Sequence, residues 1–184
     1  MWSKMSKEVL QGEKIDLPMM LDAREKRVSI QQELLMKHPH GALLSATMNI
    51  PGPIKTNEQI KTAFLTVIEA IEQLIPPEKR MARKYRDVVT GPEYYFVIKE
   101  LPSELKEQMI QLEETHYCGR LFDLDVLYQK EQELISISRT ELGYPARRCF
   151  ICENEAKACG RNRQHSIEEM QQTISQLIEK GKMK

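Results

Sequence analysis

The 184-residue sequence predicts a single α+β domain in which a mixed β-sheet is flanked by helices. Two observations predict this class. Segments with apolar residues at three- and four-residue spacing, typical of helices, alternate irregularly with short apolar runs that are typical of strands. No internal repeat or low-complexity tract interrupts this pattern. We expect a flexible N-terminal tail over residues 1–18 and one domain over residues 19–184.

The first half of the chain predicts helix, strand and helix in that order. From Met19 the apolar spacing predicts a helix that ends before Pro39, and residues 42–50 form an apolar run that predicts a strand. Thr56-Asn57-Glu58-Gln59 fits a capping box that opens a second helix, which Pro76-Pro77 ends. The apolar face of that helix consists of Ile60, Phe64, Val67, Ile68, Ile71 and Ile75.

The second half predicts a similar mixture. The next elements are a basic surface helix over residues 78–90, a strand over 94–98 and a helix over 102–114. A strand that contains Asp123 and Asp125 follows, and residues 134–137 would pair with it as a hairpin. Ser166 opens a second capping box and a terminal helix that runs through Ile178 and that Gly181 would end.

The most informative segment is an Asp-x-Asp at Asp123 and Asp125 inside an apolar run. On a strand these two side chains share one face, and Phe122, Leu124 and Val126 share the other. Burying two carboxylates side by side is costly, and a divalent cation with oxygen ligands removes that cost. Mg²⁺ needs only one or two carboxylates plus substrate phosphates, so the pair predicts Mg²⁺-dependent chemistry on a phosphorylated substrate. The alternative is a solvated strand face without a function.

Ionisable residues of both signs precede this pair. Glu113, Glu114, His116 and Arg120 lie within the ten residues before Asp123. A cluster this mixed is a reasonable place for acid–base chemistry.

A proline-rich connector links the first strand to the second helix. Gly52 in this connector would let backbone amides approach an anion, and Lys55 would add a positive charge for a phosphate. The alternative is a stiff connector with a surface lysine, because the spacing fits neither a Walker A nor a Rossmann motif.

Three cysteines and a histidine near the C-terminus have spacing compatible with zinc. These are Cys149, Cys152, Cys159 and His165. The Cys-x-x-Cys is a common half of structural zinc sites, and the second half is slightly longer than usual. Reduced core cysteines and a facultative disulfide are the alternatives. The surrounding arginines, either solvated or binding phosphates or an acidic partner, are Arg147, Arg148, Arg161 and Arg163.

Composition excludes some classes of function. The 27 basic and 27 acidic residues cancel, which argues against a general nucleic-acid binder. No window approaches the length of a membrane span, and residues 1–10 lack the apolar region of a secretory signal. We therefore expect a cytoplasmic protein whose cysteines are reduced unless a metal binds them.

Several segments in a fixed order carry a resemblance. They are Leu21–Arg27, Asn49–Lys55, Glu113–His116, Gly119–Val126, Arg139 with Glu141–Gly143, Arg147–Cys152, Cys159 and Arg161–Ser166. Over about residues 20–180 they resemble the holo-acyl-carrier-protein synthase of citrate lyase, the apo-citrate lyase phosphoribosyl-dephospho-CoA transferase family. Cys118 stands where a small or aliphatic residue is expected.

The resemblance implies a transferase. Such an enzyme moves the phosphoribosyl-dephospho-CoA unit from triphosphoribosyl-dephospho-CoA to a serine of the acyl carrier subunit of citrate lyase, and pyrophosphate leaves. This is chemically close to nucleotidyl transfer. A related enzyme of malonate decarboxylase resembles the nucleotidyltransferase superfamily, whose metal-binding aspartates also form Asp-x-Asp, so the resemblance extends by analogy to a nucleotidyltransferase-like fold.

The residue patterns fit this implied chemistry. Asp123 and Asp125 would bind Mg²⁺, and Arg120, Lys55 and the amides near Gly52 would neutralise the pyrophosphate. Either His116 or Glu114 would accept the serine proton. The remaining candidates for binding the nucleotide or the carrier protein are Arg24, Arg27, Arg147 and Arg148.

A second hypothesis is a non-catalytic assembly factor that binds the acyl carrier subunit. The basic stretch over residues 79–86 would suit an acidic helix of that partner. The Asp-x-Asp favours the enzyme, because an adaptor has no need of paired buried carboxylates.

Overall fold

Five strands form one sheet in the computed structural model, which describes residues 11–182. They are β1 (Ala42–Met48), β2 (Arg80–Arg86), β3 (Glu93–Ile98), β4 (Phe122–Lys130) and β5 (Glu133–Ile137). The spatial order is β2-β3-β1-β4-β5, and all four pairings are antiparallel. The α+β class is confirmed, and the predicted β4–β5 hairpin is present. The expectation of a mixed sheet is corrected to an antiparallel one.

The connections explain why the sheet is antiparallel although helices join its strands. The segment from β1 to β2 passes over β3, and the segment from β3 to β4 passes over β1. Each crossover therefore joins parallel strands that are not neighbours, which produces two interleaved split β-α-β units. The strand β5 extends this arrangement beside β4.

Five α-helices lie among residues 11–182. They are α1 (Leu17–Lys37), α2 (Glu58–Leu74), α3 (Pro102–Thr115), α4 (Ala156–Asn162) and α5 (Ile167–Lys182), with 3-10 turns at Pro77–Lys79 and Gly119–Leu121. The short helix α4 was not predicted, while the other four match predicted helices. Within this part of the chain, no helix combines the length and apolarity that crossing a membrane would require.

The ends of the helices differ in part from the prediction. Asn57, not Thr56, caps α2, because its Oδ1 accepts the Ile60 amide at 3.0 Å. Ser166 accepts the Glu169 amide at 3.1 Å, as its capping box predicts. Gly181 lies inside α5 and does not end it.

Two apolar layers cover the sheet. Residues from α2, α3 and α5 pack on one face, and Ile30 and Leu35 of α1 pack with Leu43, Tyr95 and Val97 on the other. The larger cluster includes Phe64, Ile71, Leu105, Met109, Phe122, Leu124, Ile174 and Ile178. The alternation of strand side chains thus separates a thick core from a thinner layer beneath α1.

The basic stretch at residues 80–86 is the edge strand β2, so the predicted surface helix is wrong. Arg83 forms an ion pair with Glu72 of α2 at 3.1 Å, and Arg86 pairs with the buried Glu93 at 2.6 Å. Charged side chains are common on edge strands, where they discourage pairing with other chains. A basic composition alone did not distinguish this strand from a helix.

Residues 11–16 lead into the first helix without regular structure. The Ile15 side chain is buried, and its amide donates to the Pro53 carbonyl at 2.9 Å. Asp16 caps α1 by accepting the Met19 amide at 2.9 Å. This end of the predicted tail therefore packs against the rest of the protein, and residues 1–10 lie outside the described residues.

Candidate functional site

Asp123 and Asp125 lie on the β4 face that is covered by α1. Phe122, Leu124 and Val126 are buried in the core on the opposite face, so the predicted alternation is confirmed. The expectation that both carboxylates are buried is wrong, because the Asp123 side chain is 43% exposed and Asp125 is exposed.

The surroundings of Asp125 disfavour a second negative charge. Neighbouring groups remove part of its hydration, and this loss raises the pKa of Asp125. The Lys106 ammonium opposes the shift and the Asp123 carboxylate adds to it. The charged form of the Asp125 carboxyl is therefore less favourable here than in water.

Asp123 opens into a cleft of about 160 Å³ between α1, the end of β1 and the connector after it. We call it the aspartate cleft; the charged residues that line it are Arg24, Arg27, Lys55, Glu93 and Asp123. Arg24 and Arg27 are one turn apart on α1, which places both on the same helix face. Lys55 donates to the Ile50 carbonyl at 2.5 Å, and its burial, together with the Arg24 charge, lowers the pKa of Lys55.

Glu93 is a buried carboxylate that lines the aspartate cleft. It is 3% exposed, and Tyr95 and Arg86 donate to its Oε2 at 2.8 and 2.6 Å. The Arg27 Nε lies 3.3 Å from Oε1 of the same carboxylate. The sequence analysis missed Glu93, although an acid at the start of an apolar strand needs partners when it is buried.

Glu113 of α3 is a second buried carboxylate, 3% exposed. Its Oε1 accepts the Leu124 amide at 3.1 Å and Arg147 Nη2 at 2.6 Å, and its Oε2 accepts Arg139 Nη2 at 3.2 Å. The sequence placed Glu113 in a cluster of ionisable residues, but the predicted role of proton acceptor went to its neighbour Glu114 or to His116. The sequence does contain a signal for the buried position of Glu113. Glu113 lies four residues after Met109 and therefore on the apolar face of α3, where a carboxylate must be paired.

Arg147 joins the two carboxylate sites. Its Nη1 donates to Asp123 Oδ1 at 2.8 Å while its Nη2 binds Glu113. Arg147 also lines a second cleft of about 260 Å³, which we call the arginine cleft. The lining residues of the arginine cleft are Glu113, Glu114, Arg120, Arg139, Pro145, Ala146, Arg147 and Arg148.

The structure separates some residues that the sequence analysis grouped. Lys55 lies in the aspartate cleft and Arg120 in the arginine cleft, so the two predicted pyrophosphate ligands are on different sides of Asp123. Arg120 Nη2 donates to the carbonyls of Arg148 and Cys149, each at 3.1 Å.

The two predicted proton acceptors also differ in position. Glu114 is 52% exposed, lines the arginine cleft and pairs with Arg139 at 3.4 Å. His116 ends α3, where its Nδ1 accepts the Cys118 amide at 3.2 Å, and burial lowers the pKa of His116. His116 is not among the described residues that line either cleft.

Gly52 packs against α5. It has φ +88°, which favours glycine, and a Cβ there would lie 2.9 Å from Gln171 Nε2. Gln171 Nε2 also donates to the Pro51 carbonyl at 3.3 Å. These contacts explain the glycine by turn geometry and by the close approach of α5.

Cys149, Cys152, Cys159 and His165 form one group, the cysteine cluster, whose ligand atoms all lie within 4.8 Å of one another. Cys152 Sγ is 3.4 Å from Cys159 Sγ and 3.3 Å from His165 Nε2. The predicted set of four is thus brought together, and these groups could hold a metal ion.

Local backbone contacts shape the cysteine cluster. The Cys149 amide donates to the Asn154 carbonyl at 2.8 Å, which closes the loop that contains Cys152. On the histidine side, Glu169 Oε2 lies 3.4 Å from His165 Nδ1, so Nε2 faces the thiols. Such a carboxylate partner is typical of metal-binding histidines.

The cysteine cluster shares its backbone with the arginine cleft. Arg147 and Arg148 immediately precede Cys149, and the Ala156 amide of α4 donates to the Arg147 carbonyl at 2.8 Å. Arg120 holds the next two carbonyls. These bonds connect the backbone of Arg147 and Arg148 to the elements that carry the cysteine cluster.

Comparisons with known proteins agree with one another. A family model described as apo-citrate lyase phosphoribosyl-dephospho-CoA transferase matches residues 15–181. A protein of Streptococcus pyogenes serotype M18 named "Probable apo-citrate lyase phosphoribosyl-dephospho-CoA transferase" is 51% identical over 168 residues, which cover 91% of this chain and 87% of that protein. A protein of Vibrio cholerae serotype O1 with the same name is 35% identical, covering 89% of this chain and 91% of its own. "Protein CitXG" of Leuconostoc mesenteroides is 34% identical over 94% of this chain and 37% of its own length.

Proposed function

The chain belongs to the apo-citrate lyase phosphoribosyl-dephospho-CoA transferase family, and from this premise we propose how its residues carry out the transfer. The enzyme takes the phosphoribosyl-dephospho-CoA unit from triphosphoribosyl-dephospho-CoA and attaches it to a serine of the acyl carrier subunit of citrate lyase. The serine hydroxyl forms a bond to the phosphorus nearest the ribose, the bond from that phosphorus to the pyrophosphate breaks, and the hydroxyl proton passes to a base.

The position of Asp123 carries this proposal. It lines the aspartate cleft together with Arg24 and Lys55 and accepts a hydrogen bond from Arg147. Phosphoryl transfer depends on aligning the reacting groups and neutralising charge on the transferring oxygens. A carboxylate in a cleft that is also lined by basic side chains suits a metal-bound triphosphate, and an isolated surface aspartate would not.

Asp123 and Asp125 would hold Mg²⁺. The two carboxylates on one strand face fit a cation that binds one or two carboxylates and completes its shell with water and phosphate oxygens. Desolvation and the Asp123 charge raise the pKa of Asp125, while the Lys106 charge lowers it. The net rise is consistent with a cation in this position. When bound, the ion would neutralise charge on the phosphate oxygens.

The residues of the aspartate cleft would bind the triphosphate. Lys55, Arg24 and Arg27 supply positive charge, and the Glu93 carboxylate fixes Arg27. Gly52 lies in the connector that carries Lys55. Arg120, Arg147 and Arg148 line the arginine cleft and supply positive charge for the anionic groups of the substrate as a whole.

Either Glu114 or His116 would accept the serine proton. Glu114 lines the arginine cleft and is accessible to a partner protein. Burial lowers the pKa of His116 and keeps the imidazole neutral near pH 7, and its Nδ1 would have to release the Cys118 amide to accept a proton.

The cysteine cluster would bind Zn²⁺ in a structural role. Three thiols and one imidazole are a common ligand set of four-coordinate zinc. The hydrogen-bonded loop at Cys149 and the Glu169 partner of His165 support this assignment. Cys118 and the three cysteines of the cluster are all free thiols. Free thiols are usual in the cytoplasm, which is the proposed location.

The assembly factor is not favoured. Relatives that match most of the chain are named as transferases. The basic stretch proposed for that role is the strand β2, where Arg83 and Arg86 are already paired with Glu72 and Glu93.

The test is the mass of the acyl carrier subunit after incubation with the protein, triphosphoribosyl-dephospho-CoA and Mg²⁺. We expect a mass gain equal to the prosthetic group. In Asp123→Asn the transfer rate should fall by at least about 100-fold, the scale of removing one electrostatic contribution to a transition state. The melting temperature should change little, because the Asp123–Arg147 pair is partly exposed.

Glu133→Gln is the matched control, because Glu133 is an exposed acid of the neighbouring strand β5 and should leave the rate unchanged. The absence of any mass gain with wild-type protein that binds the carrier would contradict the transferase. Near-wild-type turnover of Asp123→Asn would contradict the metal assignment alone.

A further inference from the structure

The arginine cleft is larger than the aspartate cleft and carries more positive charge. Four arginines and two glutamates line it, at a volume of about 260 Å³. Its lining includes none of the residues that would hold the metal. The positive charge of this cleft suits a second anionic group of the substrate.

The arginines of this cleft are held in position before a ligand arrives. Arg139 is 14% and Arg147 28% exposed, and the same buried Glu113 carboxylate binds both. The Leu124 amide fixes Glu113 in turn. Four arginines against two glutamates line the cleft, so the lining keeps a net positive charge although Glu114 and Asp123 also pair with Arg139 and Arg147. Guanidinium groups held in this way bind phosphate oxygens with short, charge-assisted hydrogen bonds.

The proposed substrate has two separated anionic groups. One is the triphosphate on the added ribose, where the transfer takes place. The other is the diphosphate that joins the adenosine to the pantetheine of dephospho-CoA. Arg147 lies at the boundary of the two clefts, since one of its nitrogens binds Asp123 and the other Glu113.

We propose that the arginine cleft binds the diphosphate of the dephospho-CoA moiety, while the aspartate cleft binds the triphosphate. This assignment rests on the proposed function and specifies the substrate contacts of the same site. Arg139 and Arg148 are then specificity residues for the dephospho-CoA half, and Arg24 belongs to the triphosphate half. Arg147 serves both, because it touches both carboxylate sites.

The test measures each half of the substrate separately by isothermal titration calorimetry. The probes are dephospho-CoA alone and tripolyphosphate with Mg²⁺. Arg139→Gln and Arg148→Gln should each weaken dephospho-CoA binding by about 10-fold or more, the effect of losing one charged hydrogen bond. Neither should change tripolyphosphate binding more than about 2-fold. Arg24→Gln should show the reverse pattern.

A variant that should fold normally and a matched control complete this test. Arg148 is 65% exposed and pairs only with the exposed Glu153 among the described residues, so Arg148→Gln should keep the wild-type melting temperature even if Arg139→Gln does not. Arg83→Gln is the matched control, because Arg83 is an exposed arginine of β2 that pairs with Glu72 and lines neither cleft. It should leave both affinities unchanged.

The outcomes are distinct. The crossed pattern of losses supports the assignment. Loss of tripolyphosphate binding in Arg148→Gln with unchanged dephospho-CoA binding overturns it, as does dephospho-CoA binding that no arginine-cleft variant weakens. The mass assay of the acyl carrier subunit is scored separately. If the carrier is modified but the variants do not show these opposite losses of affinity for dephospho-CoA and tripolyphosphate, only the cleft assignment is refuted. If the carrier is not modified, the proposed function is refuted.

Discussion

Glu113 accepts hydrogen bonds from the Leu124 amide and from two arginines while only 3% of it is exposed. A glutamine at this position keeps the shape and loses the charge, so Arg139 and Arg147 lose their common counterion. We expect Glu113→Gln to lower the free energy of unfolding by about 3 kcal/mol, as when a buried ion pair loses one partner. Urea denaturation measures this change.

Glu114→Gln is the internal control for that measurement. The neighbouring Glu114 is 52% exposed and pairs only with Arg139 among the described residues. Exposed ion pairs contribute little, so this variant should stay within about 1 kcal/mol of wild type. Equal effects at the two positions would show that the buried carboxylate has no special role.

His116 should contribute to the loss of stability in acid. Burial lowers the pKa of its imidazole in the folded protein below the usual value of 6.5. As the pH falls through about 6.5, the unfolded chain takes up a proton that the folded protein does not, so stability decreases. Between about pH 7.5 and 5.5 the wild type should therefore lose more stability than His116→Gln, measured by urea denaturation at both values. An equal loss would mean that His116 is not responsible.

At the residue scale, the predictable features were those that a single element determines. The shared face of Asp123 and Asp125 follows from the two-residue period of one strand. The role of Glu113 depends on α3, β4 and the segment that carries Arg139 and Arg147 meeting in space. No local sequence pattern predicts that these three segments meet at Glu113. The sequence around Glu114 supported a functional role equally well.

At the element scale, Gly119 shows how closely the chain must turn between α3 and β4. An added Cβ would lie 2.6 Å from the Glu113 carbonyl oxygen and even closer to that of Leu112. Because both are backbone atoms, they cannot move aside as a flexible side chain would. Gly119→Ala should therefore lower the free energy of unfolding by about 2 kcal/mol or more, measured by urea denaturation.

Gly160 provides the comparison for Gly119→Ala. It lies inside α4, and nothing would come within 4 Å of an added Cβ. Alanine suits a helix interior better than glycine, so Gly160→Ala should be neutral or stabilising by up to about 1 kcal/mol. Similar destabilisation by both substitutions would contradict the steric explanation.

The elements that the sequence predicted correctly have strong periodicity or clear caps. The helix α2, with its buried Ile60, Phe64 and Ile71, is an example. The strand β2 was predicted as a helix because its exposed basic residues carry no clear period, and its pairing with β3 decides its structure. The helix α4 is only seven residues long and follows the cysteine loop, so its own sequence gives a weak signal.

At the scale of the whole molecule, the metal proposed for the cysteine cluster connects the C-terminal part to the site. We expect about one Zn²⁺ per chain by elemental analysis, since four ligands make one site. Removing it with a chelator should lower the melting temperature, because a ligand of the folded state stabilises that state. Cys152→Ser should behave like the chelated protein.

The fourth cysteine is the control for metal binding. Cys118 is fully buried in the larger core, outside the cysteine cluster, and burial raises the pKa of its thiol to about 12. Cys118→Ala should therefore keep the metal content of the wild type. Metal loss in this variant, or full metal content in Cys152→Ser, would contradict the assignment.

The family and its reaction followed from the order of motifs along the whole chain, and the matching family model confirms that recognition. The sheet order did not follow from the sequence, because strands that pair are far apart in the chain. The two clefts depend on that order. They exist as separate cavities because β4 places Asp123 between α1 on one side and the Arg139–Arg148 segment on the other.

The interleaved strand order also has a consequence for the newly made chain. The central strand β1 is the first of the five to be synthesised, yet both of its neighbours, β3 and β4, come later. Its first partner is complete only at Ile98, roughly 50 residues after Met48, which takes about 3–10 s at ordinary rates of translation. During that interval the apolar residues Ala42, Leu43 and Leu44 have no strand to pair with. Of the five strands, β1 is thus the one whose first pairing partner is made longest after it.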